Sequence, residues 1–221
     1  MISIKTAILS ASFLFYSISS YAGYDNKATG FYLKHFALAK DLKDTSCKQF
    51  LNTVYRGGQP DFAVGDAWIN KIKASKIKVV FDLRSETTNA VKERDALLNN
   101  GIGYVKIPLS TSGNIMPETL TVEVAEPSNG FNSPVITKTA MPRVQAALYV
   151  LSLMNKVISE QSENAIYLHC QRGEDRTGLM IALLRECPGT AWKSEFNEYG
   201  GVMYKPLQSL MDEVSKVRSN K

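Results

Sequence analysis

Residues 169–178 read His-Cys-Gln-Arg-Gly-Glu-Asp-Arg-Thr-Gly and place Cys170 and Arg176 with five residues between them. Before them, Ala165-Ile166-Tyr167-Leu168 is a short apolar run of strand-forming residues. After them, Leu179-Met180-Ile181-Ala182-Leu183-Leu184 favours helix. The intervening loop therefore leads from a buried strand to a helix N-terminus. There the backbone N–H groups of residues 171–176 and the positive end of the helix dipole form a nest for an anion. Gln171, Arg172, Gly173 and Glu174 are thus candidate phosphate-binding positions. Arg176, in the first helical turn, offers a planar fork suited to two phosphate oxygens at once.

The same field acts on Cys170. A free thiol has a pKa of about 8.5, and a helix N-terminus beside a guanidinium lowers it by several units. A thiolate beneath a bound phosphate ester is placed for in-line attack on phosphorus, giving a phosphocysteine that water then hydrolyses. Thr177 can donate to the sulfur and stabilise it as the leaving group of the second step. Gly173 suits a position of positive φ or close backbone approach. His169 precedes the nucleophile on the strand and is expected to point away from the phosphate, supporting the loop rather than reacting.

Cysteine and arginine at this spacing are a weak signal alone. The flanking His, the central Gly and the following Thr-Gly, between a strand and a helix, make it specific. The other two cysteines do not repeat it, since Thr53 lies six residues after Cys47 and Lys193 six after Cys187.

On these residues the chain resembles the cysteine-dependent protein phosphatase superfamily, and more narrowly the bacterial dual-specificity-like tyrosine phosphatases. The resemblance extends to Val54-Tyr55-Arg56-Gly57-Gly58-Gln59-Pro60, to the strand Val79-Val80-Phe81-Asp82-Leu83-Arg84, and to Gly101 through Pro108. It also takes in Trp192 through Tyr199 with Gly200-Gly201, and covers roughly residues 50–215. It implies an α/β fold with a central, mostly parallel sheet flanked by helices. It further implies phosphomonoester hydrolysis without a metal or organic cofactor.

The loop motif alone does not name the proton donor. In the resembled family the connection after the central strands passes over the site and often carries an aspartate acid. Here the segment 110–140 is rich in Ser, Thr, Pro, Gly and Asn and contains no aspartate. At some thirty residues it far exceeds the usual connection of about 2–6 residues. It holds Glu118, Glu123 and Glu126, although 121–124 also reads as a small ribbon strand with Glu123 solvated. The alternative is Asp175, because in resembled phosphatases whose loop ends Asp-Arg-Thr that aspartate is a proposed proton donor; its structural reading is a carboxylate accepting loop N–H bonds, and a reaction without a dedicated acid is the remaining alternative.

Composition bounds the partners. The 221 residues, 44% hydrophobic, suffice for one substantial core, and a single phosphatase domain over 51–221 follows an N-terminal arm at 23–50. The net charge of +5 favours anionic ligands, but Lys and Arg are scattered without a basic run, which argues against nucleic acid. Two histidines and no Cys-x-x-Cys leave no expected metal site. Residues 1–22 read as a secretory signal peptide, with Ser20-Tyr21-Ala22 before the cut. Its apolar run is too short and too serine-rich for a spanning helix, so no stable membrane insertion is expected after cleavage. The mature protein is then periplasmic or secreted, where Cys47 and Cys187 either pair or remain free thiols. A third possibility is a reversible disulfide on Cys170 itself.

The loop's extra basic side chain, Arg172, is offset by Glu174, which disfavours a second phosphate. The expected substrate is a phosphotyrosine or phosphoserine/threonine protein or a small phosphomonoester. Inositol phosphate or phosphoinositide hydrolysis, and phosphate binding without turnover, are the alternatives. A rhodanese-type sulfurtransferase also uses a loop cysteine, but without the Arg-Thr-Gly that ends this loop.

The remaining elements are expected as helices over 31–40, where His35 packs, 61–75, 89–100 closed by Gly101, 142–159 and 204–217. Strands are expected at 79–83 and 104–107. The 142–159 helix should bury Val144, Leu148, Leu151 and Val157.

Overall fold

A computed structural model describes residues 37–38, 53–85, 88–113, 115–128, 133–160, 164–185 and 203–219. The signal segment, most of the N-terminal arm with His35, Cys47, Cys187 and the 192–201 stretch lie outside the described residues.

The described residues form a seven-stranded sheet: β1 (Ala37–Leu38), β2 (Val54–Gly57), β3 (Ile77–Arg84), β4 (Gly103–Leu109), β5 (Thr119–Glu126), β6 (Val135–Pro142) and β7 (Ala165–His169). Their spatial order is β1-β2-β7-β3-β4-β5-β6. The four central strands, β2, β7, β3 and β4, run parallel. The edges are antiparallel, β1 on one side and the β5–β6 hairpin on the other. Among the described residues five helices flank the sheet: α1 (Ala67–Ala74), α2 (Thr88–Asn99), α3 (Arg143–Glu160), α4 (Asp175–Arg185) and α5 (Lys205–Ser219). The expected mostly parallel, helix-flanked α/β sheet is the one found.

Alternation along the strands divides the core in two. Phe81, Leu83, Val105, Ile107, Ile166 and Leu168 face α3, α4 and α5. Val80, Tyr104 and Tyr167 face the other way, onto Trp68, Ile69 and Ile72 of α1 and Leu97 and Leu98 of α2. On this second face the register also lines up His169, Asp82, Lys106, Glu123 and Lys138 across five adjacent strands. Basic and acidic residues alternate along that row, so like charges are never direct neighbours.

Several sequence expectations need correction. Residues 37–38, inside the expected helix over 31–40, are a strand paired with β2. The expected helix over 61–75 is split: Asp61 caps a short 3-10 turn at Phe62–Val64 through Ala63 N–H (3.0 Å), and α1 starts only at Ala67. The α3 stripe is turned by about one position. Ala146, Ala147, Val150, Leu151, Met154 and Ile158 are buried, while Val144, Leu148 and Val157 are only partly so. The adjacent alanines let the helix approach the sheet closely, which a reading weighted toward large side chains misses. Gly101 closes α2 as expected, with Ile102 N–H bonding to Leu97 and Gly101 N–H to Leu98.

The largest correction concerns residues 110–140. Much of this segment extends the sheet as the β5–β6 hairpin, with Leu120 and Val122 buried on one face and Ala125 on the other. Only the nine residues 110–118, between β4 and β5, remain a connection at the site's end of the sheet.

Candidate active site

Strand β7 ends at His169, Cys170 begins the loop, and α4 begins at Asp175. The carbonyl of Glu174 accepts the first helical bond, from Gly178 N–H at 2.7 Å, so the helix N-terminus opens directly onto the loop. Cys170 is 2% exposed, and its sulfur accepts a hydrogen bond from Gly173 N–H at 3.3 Å.

Gly173 has φ of +82°. A Cβ there would collide with the carbonyl group of Gly57 and lie 2.7 Å from Gly58 N. The loop therefore rests directly on the Gly57-Gly58-Gln59 turn, and only glycine allows that approach. The turn is fixed in return. Gln59 N–H donates to the Gln171 carbonyl (3.2 Å), and Tyr167 Oη donates to the Gly58 carbonyl (2.5 Å).

Burial alone would push the Cys170 thiol up. The Thr177 hydroxyl, the Arg176 guanidinium and the N–H groups of Thr177 and Gly173 outweigh it and hold the pKa below its ordinary value. The Thr177 hydroxyl is buried beside the sulfur and acts there through proximity, since it meets no partner at full hydrogen-bond geometry among the described residues.

Arg176 is buried. Its Nη1 donates to the carbonyls of Leu109 (3.3 Å) and Leu83 (3.5 Å), at the ends of β4 and β3, and its Nε has no partner among the described residues. One arm of the guanidinium is thus anchored to two strand ends, while Nε takes no part in that anchoring. Gln171 and Arg172 are exposed at the rim, Glu174 and Asp175 are half-buried, and Gly173 is buried.

The three glutamates weighed as acids lie apart from one another. Glu123 is bound to Arg94 (3.0 Å) and Lys138 (3.1 Å) on the α2 face, and is not simply solvated. Glu126 follows Ala125, the partner of Tyr104, and so sits at the start of β4, the end of the sheet opposite Cys170. Glu118 alone lies at the site's end, where its backbone carbonyl accepts from Arg143 N–H (2.8 Å).

Behind the loop lies a buried ionic cluster. Asp82 accepts from Arg84 Nε and Nη2, both at 2.8 Å, and from Tyr104 Oη at 2.7 Å. Arg84 Nη2 also contacts Glu93 Oε2 at 2.5 Å. His169 Nε2 lies 2.9 Å from Glu93 Oε1, meeting it as an ion pair and not as an aligned hydrogen bond. Burial raises the Asp82 pKa, but His169 and Arg84 bring it below the usual carboxylate range. Burial lowers that of His169, but Glu93 and Asp82 raise it above the ordinary imidazole value. Asp82, Glu93 and His169 have the residue types of a metal-binding group. Arg84, in contact with both carboxylates, already supplies their positive charge. His169 faces this cluster and not the loop's mouth, as the sequence suggested.

Glu93 was not singled out by sequence reasoning. Its signal was its spacing: positions 90, 93 and 97 share one helical face, and an acid between buried Ala90 and Leu97 must have a buried partner.

No curated protein sequence matches the chain. Among solved structures, a glycine-to-alanine mutant form of Tk-PTP is similar at a TM-score of 0.50 and 14% identity, covering 76% of this chain and 93% of that one. PTPMT1 is similar at a TM-score of 0.49 and 10% identity, covering 76% of this chain and 96% of that one. A DUF442 protein from Shewanella putrefaciens CN-32 is similar at 0.49 and 16% identity, with 77% and 91% covered. At 14% identity the likeness to the Tk-PTP mutant form bears on the fold alone. The sequence profile described as the tyrosine phosphatase family matches residues 50–200, which include the Gly57-Gly58 turn, the buried cluster and the whole Cys170–Arg176 loop. The chain belongs to the tyrosine phosphatase family.

Proposed function

We propose that this protein is an exported phosphomonoesterase that works through a phosphocysteine on Cys170. The observation that carries the reading is the sulfur itself, held below its ordinary pKa at a helix N-terminus beside Arg176 and the Gly173 N–H. The phosphoryl group of a monoester sits over the loop, with its oxygens on the N–H groups of residues 171–176 and on the Arg176 fork. The Cys170 thiolate attacks phosphorus as the bond to the leaving oxygen breaks, and Asp175 protonates that oxygen. Water then attacks the phosphocysteine, phosphate leaves, and the thiolate re-forms beside the Thr177 hydroxyl. Hydrolysis of para-nitrophenyl phosphate, inhibited by vanadate, tests this directly; a folded protein that binds vanadate without turnover is a phosphate-binding module instead.

The acid assignment has its own test. Asp175→Asn is expected to slow alkyl phosphates by about 10²-fold or more, the scale of general-acid loss. Aryl phosphates with an acidic phenol should lose much less, because their leaving oxygen needs little help. Glu123→Gln and Glu126→Gln are expected to be nearly silent in both. Equal losses for both substrates in Asp175→Asn would reduce the residue to shaping the loop, and a selective loss in Glu118→Gln would move the acid there.

The substrate is proposed as a phosphotyrosine or phosphoserine/threonine protein or a small monoester. Glu174 stands two residues from Arg172 at the loop's rim, which disfavours a second phosphate. Among the described residues no helix is long and apolar enough to cross a membrane. Export rests on residues 1–22 alone. The mature chain is expected to begin near Gly23 and to be recovered from periplasm or medium, read by N-terminal sequencing; Met1 on a cytosolic pool would overturn it.

A further inference from the structure

On the side of the nucleophile loop away from its mouth, two sets of contacts converge on one carboxylate that the reaction does not use. Glu93 projects from the buried face of α2, with Oε1 2.9 Å from His169 Nε2 and Oε2 2.5 Å from Arg84 Nη2. The other nitrogen of His169, Nδ1, is 3.2 Å from the Cys170 carbonyl. The other arm of Arg84, Nη1, donates to Gln59 Oε1 at 3.2 Å, and Gln59 N–H donates to the Gln171 carbonyl at 3.2 Å. Each oxygen of Glu93 therefore leads to one of two consecutive loop carbonyls, one through His169 and the other through Arg84 and Gln59.

We propose that Glu93 is a positioning residue for the nucleophile, fixing the peptide carbonyls of Cys170 and Gln171 together and with them the direction of the Cys170 sulfur. The proposal rests on the phosphatase reading of Cys170 for its consequence, but not for its geometry.

The arrangement requires a doubly protonated ring. His169 Nε2 faces a carboxylate and Nδ1 faces a carbonyl, so both nitrogens serve best as donors. The imidazolium is favoured here because Glu93 and Asp82 outweigh the burial that opposes it. The ring also stacks on Tyr167, with centroids 5.3 Å apart and planes at 16°. The charged and titratable groups around this junction are Asp82 and Arg84 from β3, Glu93 from α2, Tyr104 and Lys106 from β4, and Arg176 from α4. Without the Glu93 charge, Arg84 and His169 share Asp82 alone. His169 then gives up one proton more readily, and a neutral ring, with a single N–H, no longer ties position 93 and the Cys170 carbonyl together. A sulfur that shifts relative to Gly173 N–H and Arg176 loses part of what keeps it ionised.

The test uses the full chain carrying Glu93→Gln, which keeps the side-chain shape and removes the charge. Two quantities are read: the pH midpoint of Cys170 alkylation by iodoacetamide, followed on the Cys170 peptide by mass, and kcat and KM for para-nitrophenyl phosphate. The alkylation midpoint is expected to move to higher pH. kcat is expected to fall about 10²-fold, the scale of a misplaced reacting group, while KM changes little. A variant that melts cooperatively yet keeps the wild-type midpoint and kcat overturns the proposal, since a mere fold brace would behave that way. If Glu93→Gln does not fold, Gln59→Ala and His169→Asn each cut one arm. Both are then expected to raise the midpoint and lower kcat, and wild-type values in both overturn it. If the wild-type protein itself shows no turnover, the phosphatase reading falls, and the alkylation midpoint still decides the role of Glu93.

Discussion

Cys170→Ser is expected to lower phosphatase turnover by on the order of 10⁴-fold or more, the scale of losing a nucleophile outright. The loop is built to stabilise an anion at the sulfur: Gly173 N–H at 3.3 Å, the Thr177 hydroxyl and the Arg176 charge all favour the thiolate. Serine fills nearly the same space, but its hydroxyl stays protonated at neutral pH in the same field. The fold and the phosphate cradle should therefore survive, so that the variant still binds vanadate or a phosphopeptide while failing to cleave it. The measurement pairs kcat on para-nitrophenyl phosphate with a binding isotherm. Turnover near the wild-type rate would rule out thiolate catalysis.

Arg176→Lys is expected to be nearly as damaging as Arg176→Ala, each costing roughly 10³-fold in kcat/KM, the lower range for losing a transition-state arginine. Nη1 is committed to the Leu83 and Leu109 carbonyls, which hold the guanidinium plane in place. The rest of the group is then set at a fixed angle for the equatorial oxygens of the phosphoryl group. An ammonium on a flexible stem cannot bind two strand ends and two phosphate oxygens together. Recovery of most of the rate with lysine would mean that Arg176 does not clamp the transition state.

The loop was legible in the sequence because its chemistry is contiguous. Cys170, Gly173, Arg176 and Thr177 all lie between the end of one strand and the first turn of one helix, and the strand and helix could be read from their own residues. The central strands were legible for a related reason, since β7, nearly all of β4 and β3 from Val80 onward are buried runs. What was hidden depends on contacts distant in sequence. Gln59 meets Gln171 across more than a hundred residues, and Glu93 reaches His169 from a helix that precedes it by one strand, a hairpin and a helix. A buried acid looks like a surface acid until its partner is known. The β5–β6 hairpin was obscured because its edge strand, Val135–Pro142, sets Thr137, Lys138 and Thr139 among apolar residues with no strict alternation and is exposed along nearly its whole length, so no buried face marks it as a strand. The α3 stripe was misplaced because alanines at the closest approach carry little hydrophobic signal.

The central claim is that Cys170 carries the phosphoryl group during turnover. The direct measurement is acid quenching of the enzyme with an aryl phosphate in the pre-steady state, followed by peptide mass spectrometry. The account predicts one added phosphoryl mass on the peptide containing Cys170, absent when vanadate is present and absent in Cys170→Ser. Burst-phase release of the phenol with no adduct on Cys170, or an adduct on another residue, would contradict it.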